Sequence, residues 1–156
     1  FKKILIIDFD VHHGNGTQHI FENNPNIFYA SSHQFPFYPG TGSFNEVGVG
    51  NIFNCPLPSH CDSSTFKSLF RKNIVDKIDK KFDLIYFSAG FDAHKLDPLA
   101  SINLEDDDFY WLTKIVLEKY ANNVPIISVL EGGYDMRGLH NGLNNHLKKL
   151  VEYSNE

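Results

Sequence analysis

The sequence has few cysteines, no excess of basic residues and no long apolar run. Its two cysteines, Cys55 and Cys61, have no second pair, so neither a disulfide framework nor a zinc ribbon has support. Lysine and arginine total 14 against 19 aspartates and glutamates, and direct nucleic-acid binding is not expected. No stretch approaches the roughly 20 apolar residues that span a bilayer, and no signal peptide is evident. We therefore expect no membrane partner and an intracellular setting, in the cytoplasm or, in a eukaryote, the nucleus.

The chain has the composition of one globular domain. Of its 156 residues, 42% are hydrophobic and 21% are charged, which excludes disorder and coiled coil as descriptions of the whole. The first residue is not methionine, and the chain opens almost directly on an apolar strand. We interpret residues 1–156 as the later portion of a longer domain.

Short apolar segments alternate with amphipathic ones along the chain. The predicted strands are residues 3–7, 26–31, 84–88 and 125–130, with a further strand near 52–55 inside a long loop over 34–58. The predicted helices are residues 17–23, 63–81, 105–121 and 136–153, with N-caps at Asp62 or Ser63 and at Asn103. This alternation predicts an α/β fold: an open parallel sheet flanked by helices.

The first strand ends in acids and a histidine. Asp8, Asp10 and His12 share one parity, so a carboxylate oxygen and an imidazole nitrogen can converge on one divalent ion. The alternative is that these acids cap a helix or face solvent in a loop. The three other apolar strands also end in polar residues, and the carboxyl ends of parallel strands form one ligand-binding edge. The sequence therefore predicts a metal site at that edge.

Four segments, DFDVHHGNGTQHIF, HQFPFYPGTG, SAGFDAHKLDPLASINL and LEGGYD, resemble the metal-dependent histone deacetylase family in order and approximate spacing. The resemblance is to the class II-like branch, with bacterial deacetylase-like proteins and acetylpolyamine amidohydrolases. It implies an arginase/deacetylase-like fold, of which residues 1–156 are the C-terminal portion without the N-terminal part. It also implies that Asp10, His12 and Asp97 bind Zn2+, with Fe2+ as an alternative, and that Tyr134 is catalytic.

The third metal ligand stays open on spacing alone, because Asp92 and His94 repeat the Asp-x-His pattern. The resemblance favours Asp97. Further positions carry over from the family with less support: Asp8 and Ser31 to a structural K+ or Na+ site, Asn15, His13 and Asp92 to groups beside the ligands, and Tyr38, Leu104 and Gly133 to the substrate channel. Phe37 is expected in the core.

The resemblance implies hydrolysis of an acetyl or other acyl amide on a lysine side chain or a similar alkylamine. The substrate would be an acetyl-lysine protein, an acetylated polyamine or another small acylated amine. The family's general base is a tandem histidine pair upstream of this segment. We therefore expect the missing N-terminal part to be a required partner, and this segment alone to be inactive. We also expect its first strand to lack a neighbour on one side.

Two other functions fit parts of the pattern. A two-metal ureohydrolase-like enzyme has a similar strand-end architecture but needs further acids bridging a second ion. A catalytically silent module that binds acyl-lysine is the non-enzymatic alternative. The number of bound metal ions distinguishes the first, and turnover distinguishes the second.

Overall fold

Five short strands form one parallel sheet in the computed structural model, which describes residues 1–155. The order across the sheet is β3-β2-β1-β4-β5, and every neighbouring pair is parallel. The strands are β1 Ile4–Asp8, β2 Ile27–Gln34, β3 Ile52–Leu57, β4 Leu84–Ala89 and β5 Ile126–Leu130. The predicted α/β class and all five predicted strands are confirmed.

Four α-helices connect or follow these strands. They are α1 Asn15–Phe21, α2 Ser63–Phe70, α3 Asp106–Tyr120 and α4 Met136–Ser154. The prediction of one helix over 63–81 is wrong in its extent, because α2 passes into a π-helical segment, Arg71–Val75, and no helix continues beyond it to residue 81. None of the helices within residues 1–155 is both long enough and apolar enough to cross a membrane.

The helix caps follow the chemistry of the preceding loops. Asp62 caps α2, since its carboxylate accepts a hydrogen bond from the Thr65 amide at 2.8 Å. The predicted cap at Asn103 is wrong. Asn103 pairs in an isolated bridge with Asp62, and α3 begins later with a capping box between Glu105 and Asp108.

The two faces of the sheet are covered unequally. Leu5 and Ile7 of β1 belong to the large core that contains buried residues of α2 and α3, with Leu139 of α4 packed against it. Ile4 and Ile6 point to the other face, where a small cluster packs with Phe21 of α1. Because side chains alternate between the two faces of the sheet, the apolar residues of β1 pack into two separate clusters.

The first strand occupies the centre of the sheet. The expectation that β1 would lack a neighbour on one side is wrong, because β2 and β4 both pair with it along its whole length. The exposed strand is instead β5 at the edge, where Ile127, Val129 and Leu130 are 43%, 38% and 55% exposed. Because the strands are parallel, the loops after β1, β2, β4 and β5 meet at one edge, and that edge holds the site.

Candidate metal centre

The loop after β1 brings Asp10 and His12 together. The Nδ1 atom of His12 lies 3.1 Å from Asp10 Oδ1 and 3.1 Å from Asp92 Oδ2, and Asp92 is on the loop after β4. Ligand atoms of these three residues all lie within 4.8 Å of one another. Two carboxylates and one imidazole at this separation form a donor set that suits a divalent transition metal. The structure thus contains a candidate metal centre at the predicted edge of the sheet.

Asp92 lies in the interior of the protein. Its side chain is completely buried. Its Oδ1 accepts a hydrogen bond from the Val11 amide at 2.7 Å, while Oδ2 faces His12. The position beside the metal residues was predicted for Asp92, and the structure adds that it ties the β1 loop to the β4 loop.

Asp97 lies on the same loop after β4 as Asp92, but its carboxylate makes different hydrogen bonds. Its Oδ2 accepts a hydrogen bond from the Tyr134 amide at 2.7 Å, and its Oδ1 accepts one from the Leu99 amide at 2.9 Å. Within residues 1–155, the group of mutually close ligand atoms contains Asp92 and not Asp97. The assignment of Asp97 as a ligand therefore stays a prediction.

Two glycines allow the loops to approach the carboxylates this closely. A Cβ atom on Gly90 would lie 2.4 Å from Asp10 Oδ2, and one on Gly132 would lie 2.4 Å from Asp92 Oδ2. The Gly132 amide also donates to Asp10 Oδ2 at 2.9 Å. Gly90 was not among the predicted site residues, although its place between a strand end and an acid is the pattern that identifies it.

The acids of the site have His12 beside them but, among the described residues, no lysine or arginine. Burial, followed by the charge of Asp10, raises the pKa of Asp92 to about 7. The pKa of Asp8 is also raised well above its ordinary value, mainly by burial and further by Asp10. No lysine or arginine in the described part of the chain forms an ion pair with these three acids. A bound cation would supply the missing positive charge, so the residues fit a metal ion electrostatically.

Tyr134 lies on the loop after β5, beside this metal centre. Its side chain is 57% exposed, and its amide is held by Asp97. Partial burial, then the charges of Asp92, Asp10 and Asp97, raise the pKa of its phenol. The preceding Gly133 has a φ of 143° and packs on Leu139 and Phe91, so it sets the direction of the chain before Tyr134. The channel role predicted for Gly133 stays a prediction.

The two histidines near the site are occupied by other hydrogen bonds. His13 Nε2 donates to Gln18 Oε1 at 2.9 Å, and its Nδ1 accepts from the Thr41 hydroxyl at 2.8 Å. His33 Nε2 donates to the Gly42 carbonyl, which leaves Nδ1 to accept from the Ser31 hydroxyl. Burial lowers the pKa of both histidines, to about 4 for His33. Neither ring has a free nitrogen with which to take a proton from water.

The remaining predicted residues are dispersed around the centre. Asp8 accepts a hydrogen bond from the Tyr29 hydroxyl at 2.9 Å, and its register partner Ser31 bonds to His33 instead. Asn15 is exposed at the start of α1. The structural cation site at Asp8 and Ser31 and the predicted place of Asn15 beside the ligands therefore stay predictions.

Aromatic side chains form one wall beside His12. The ring of Phe37 stacks on the His12 imidazole at a centroid distance of 5.5 Å. Phe37 therefore lies beside the site, and the prediction that it belongs to the core is wrong. Tyr38, predicted to line the channel, is 77% exposed and meets His12 edge-on at 6.3 Å. Leu104, the other predicted channel residue, is only 3% exposed and pairs with His94 in an isolated bridge. Its channel role stays a prediction.

A cavity of about 240 Å³ opens directly beside the metal centre. Its lining includes Asp8, Asp10, His12, Ser88 and Glu131. Glu131 accepts a hydrogen bond from the Ser88 hydroxyl at 3.0 Å. The sequence placed Glu131 at a strand end without assigning it a role, and the structure shows that it lines the same cavity as Asp8 and Asp10.

Comparison with known proteins identifies the family. A model of the histone deacetylase domain matches residues 1–150. The chain is 39% identical over 157 residues to histone deacetylase 14, chloroplastic, of Arabidopsis thaliana, a match that covers 96% of this chain and 37% of that protein. It is 38% identical over 142 residues to a probable deacetylase of Methanothermobacter thermautotrophicus, covering 86% of this chain and 42% of that protein.

A solved structure shares the fold. The crystal structure of the HDA15 HD domain matches with a TM-score of 0.86 and 34% identity, covering 96% of this chain and 46% of that one. The chain spans less than half the length of each of these three relatives. The parallel sheet is thus the arginase/deacetylase fold predicted from the sequence, and the chain belongs to the histone deacetylase family.

Proposed function

We propose that the intact protein is a zinc-dependent amidohydrolase that removes an acetyl or acyl group from a lysine side chain or a similar alkylamine. Membership in the histone deacetylase family implies a hydrolase that acts as a deacetylase. The identities of the metal and of the substrate are what we propose beyond that. The supporting observation is the close approach of Asp10, His12 and Asp92, beside a half-exposed tyrosine. A silent binding module has no need of a phenol beside a metal site.

Asp10, His12 and Asp97 are the proposed ligands of Zn2+, with Fe2+ as an alternative because two of the three ligands are carboxylates. Asp92 is the proposed orienting residue, since both of its oxygens already contact the β1 loop. Asp97 is held next to Tyr134 by the Tyr134 amide, which suits a ligand that lies below the catalytic phenol. When bound, such a metal polarises the acyl carbonyl and activates water.

Tyr134 is the proposed donor to the oxygen that becomes negative when water attacks the amide. Its raised pKa keeps the phenol protonated at neutral pH, which a donor requires. Its exposed side chain leaves the hydroxyl accessible to a substrate carbonyl. The aromatic wall of Phe37 and Tyr38 beside His12 suits the thin methylene stem of an acyl-lysine or an acetylpolyamine.

The general base is proposed to come from another part of the intact protein. Both histidines nearest the centre, His13 and His33, use both ring nitrogens in hydrogen bonds. The 240 Å³ cavity that Asp8, Asp10 and Glu131 line is the space beside the centre that such a base would enter. Residues 1–156 alone are therefore expected to show little turnover, because loss of a general base costs about 10²- to 10⁴-fold. A K+ or Na+ ion at Asp8 and Ser31 remains part of the proposal.

Turnover by the intact protein tests this function. We expect it to release acetate from an acetyl-lysine peptide or from an acetylpolyamine, and to lose that activity with Asp10→Asn. Binding of the acetyl-lysine peptide without acetate release would favour the silent module. Two bound metal ions per chain, with hydrolysis of a guanidino substrate, would favour the ureohydrolase-like alternative. Within residues 1–155 there is a single cluster of close ligand atoms, which favours one metal.

A further inference from the structure

His94 lies on the β4 loop between the two acids that compete for the metal. It is 2% exposed and does not belong to the candidate ligand group. Its amide donates to the Phe91 carbonyl at 3.2 Å, and its carbonyl accepts from the Asp97 amide at 2.8 Å. The main chain of His94 therefore forms part of the turn that separates Asp92 from Asp97.

The hydrogen bonds of the imidazole determine its tautomer. The Leu96 amide can only donate, so Nδ1 of His94 is the acceptor of that 3.1 Å bond. The other nitrogen, Nε2, then carries the hydrogen and donates to Asp106 Oδ1 at 2.7 Å. One bond thus fixes the turn locally, and the other joins the turn to the first residue of α3.

The ring is also wedged between two helices. It stacks on Phe109 of α3 at 6.2 Å with 16° between the planes. On the α4 side, a Cβ atom on Gly138 would lie 2.8 Å from His94 Nδ1, so only glycine leaves room for the ring there. Asp106, in turn, accepts from the Asn141 amide group of α4 at 3.1 Å. His94 therefore anchors the acid-bearing loop to α3 and α4 together.

We propose that His94 is a positioning residue that holds the β4 loop, and with it the Asp92 carboxylate, against Asp10 and His12 at the metal site. This inference rests on the proposed metal site. In the part of the chain that the structure describes, the imidazole of His94 bonds to Asp106 and to the Leu96 amide and to none of the acids at the metal site, so the ring acts through the turn. Residues of this kind typically change metal affinity by about 10- to 100-fold when replaced.

Three substitutions separate the two hydrogen bonds of the ring. His94→Phe keeps the stacking ring and removes both bonds. His94→Asn keeps an acceptor for the Leu96 amide and removes the donor to Asp106. His94→Gln keeps a donor for Asp106 and removes the acceptor for Leu96. The matched control is His140→Phe, because His140 is exposed on α4 and bonds only to Asn144 among the contacts of its side chain in residues 1–155.

The intact protein is titrated with Zn2+ in competition with a chromophoric chelator, and with Co2+ by absorption spectroscopy. We expect His94→Phe to weaken Zn2+ binding by about 10- to 100-fold and to change the Co2+ spectrum, with smaller losses for His94→Asn and His94→Gln. His140→Phe should bind like the parent. Circular dichroism checks that each variant is folded.

A folded His94→Phe variant that binds Zn2+ with the parent's affinity and Co2+ with the parent's spectrum would overturn the proposal. If His94→Phe does not fold, Asp106→Ala removes the acceptor of the Nε2 bond with the ring in place, and unchanged Zn2+ affinity there would also overturn the proposal. If the parent itself binds no Zn2+, the proposed function fails, and this inference fails with it.

Discussion

Carboxylates outnumber the positive charges around His12, and this imbalance dominates the chemistry of individual residues in the site. Asp8 and Asp92 lie where burial disfavours their charged forms, and the carboxylate of Asp10 lies close to both. The sequence identified Asp10 and His12 because a period of two places them on one side of the chain. It could not rank Asp92 against Asp97, since that choice depends on how a turn folds between them.

The first prediction at the residue scale distinguishes Asp97 as a metal ligand from Asp92 as an orienting residue. Asp97→Asn in the intact protein should abolish or strongly weaken Zn2+ binding, because it removes a ligand charge. Asp92→Asn should weaken binding by only about 10- to 100-fold, the usual effect of an orienting residue. Zn2+ competition titrations of both variants measure the difference. A larger loss for Asp92→Asn would make Asp92 the ligand.

The second residue-scale prediction concerns Tyr134. Tyr134→Phe should lower kcat by about 10²- to 10³-fold, since it removes one donor to the developing oxyanion. Its Zn2+ content should match that of the parent, because the phenol is not a ligand. Steady-state kinetics on an acetyl-lysine peptide, with metal analysis of the same samples, tests both statements. Unchanged kcat would show that another group stabilises the oxyanion.

Helices α3 and α4 and strand β5 meet at one buried histidine. Thr113 donates to the Phe109 carbonyl, so its oxygen accepts from His146 Nδ1, and the Ser128 hydroxyl donates to His146 Nε2. The ring is fully buried and is held in its neutral form. The sequence placed residue 146 in the closing helix but gave no sign of this polar link, because both partners are distant along the chain.

Burial lowers the pKa of His146 to about 4, so the pH dependence of stability has a definite sign. Below pH 6.5 the unfolded chain takes up a proton that the folded chain refuses until near pH 4, and stability falls across that window. The full effect is on the order of 3 kcal/mol. Urea unfolding of chelator-treated protein at pH 7 and pH 5 should show this loss, and His146→Gln should show less of it. An equal loss in both proteins would contradict the assignment to His146.

The caps of α2 and α3 give a prediction at the scale of elements. Asp62→Ala should lower the free energy of unfolding, because the Thr65 amide loses its acceptor. Asn103→Ala is the matched control, since Asn103 caps no helix and should change stability much less. Chemical denaturation of both variants measures the two effects. Equal effects would mean that the bond to Thr65 is not the source of the stabilisation.

Local sequence patterns predicted the positions of the strands and helices better than they predicted where those elements begin and end. Alternation and apolar length located all five strands, and Asp62 located the start of α2. The π-helical segment and the later start of α3 were missed: Asn103 pairs with the distant Asp62, and the capping box of α3 lies between Glu105 and Asp108 instead. Such long-range pairing is not visible in a local pattern.

At the scale of the molecule, the strand order decides what the site contains. Placing β1 at the centre sets its loop between the loops of β2 and β4, so acids more than 80 positions apart along the chain share one histidine. The sequence predicted convergence of strand ends but misjudged β1, because strand order is set by the crossover connections. The arrangement of the sheet, more than any single motif, gathers the proposed ligands.

The number of divalent ions bound per chain tests the central claim most directly. We expect elemental analysis of the intact protein to find one zinc or iron ion per chain, and we expect His12→Ala to lose it while circular dichroism shows an unchanged fold. No bound metal in the folded parent, two ions per chain, or full retention of the ion by His12→Ala would contradict the account.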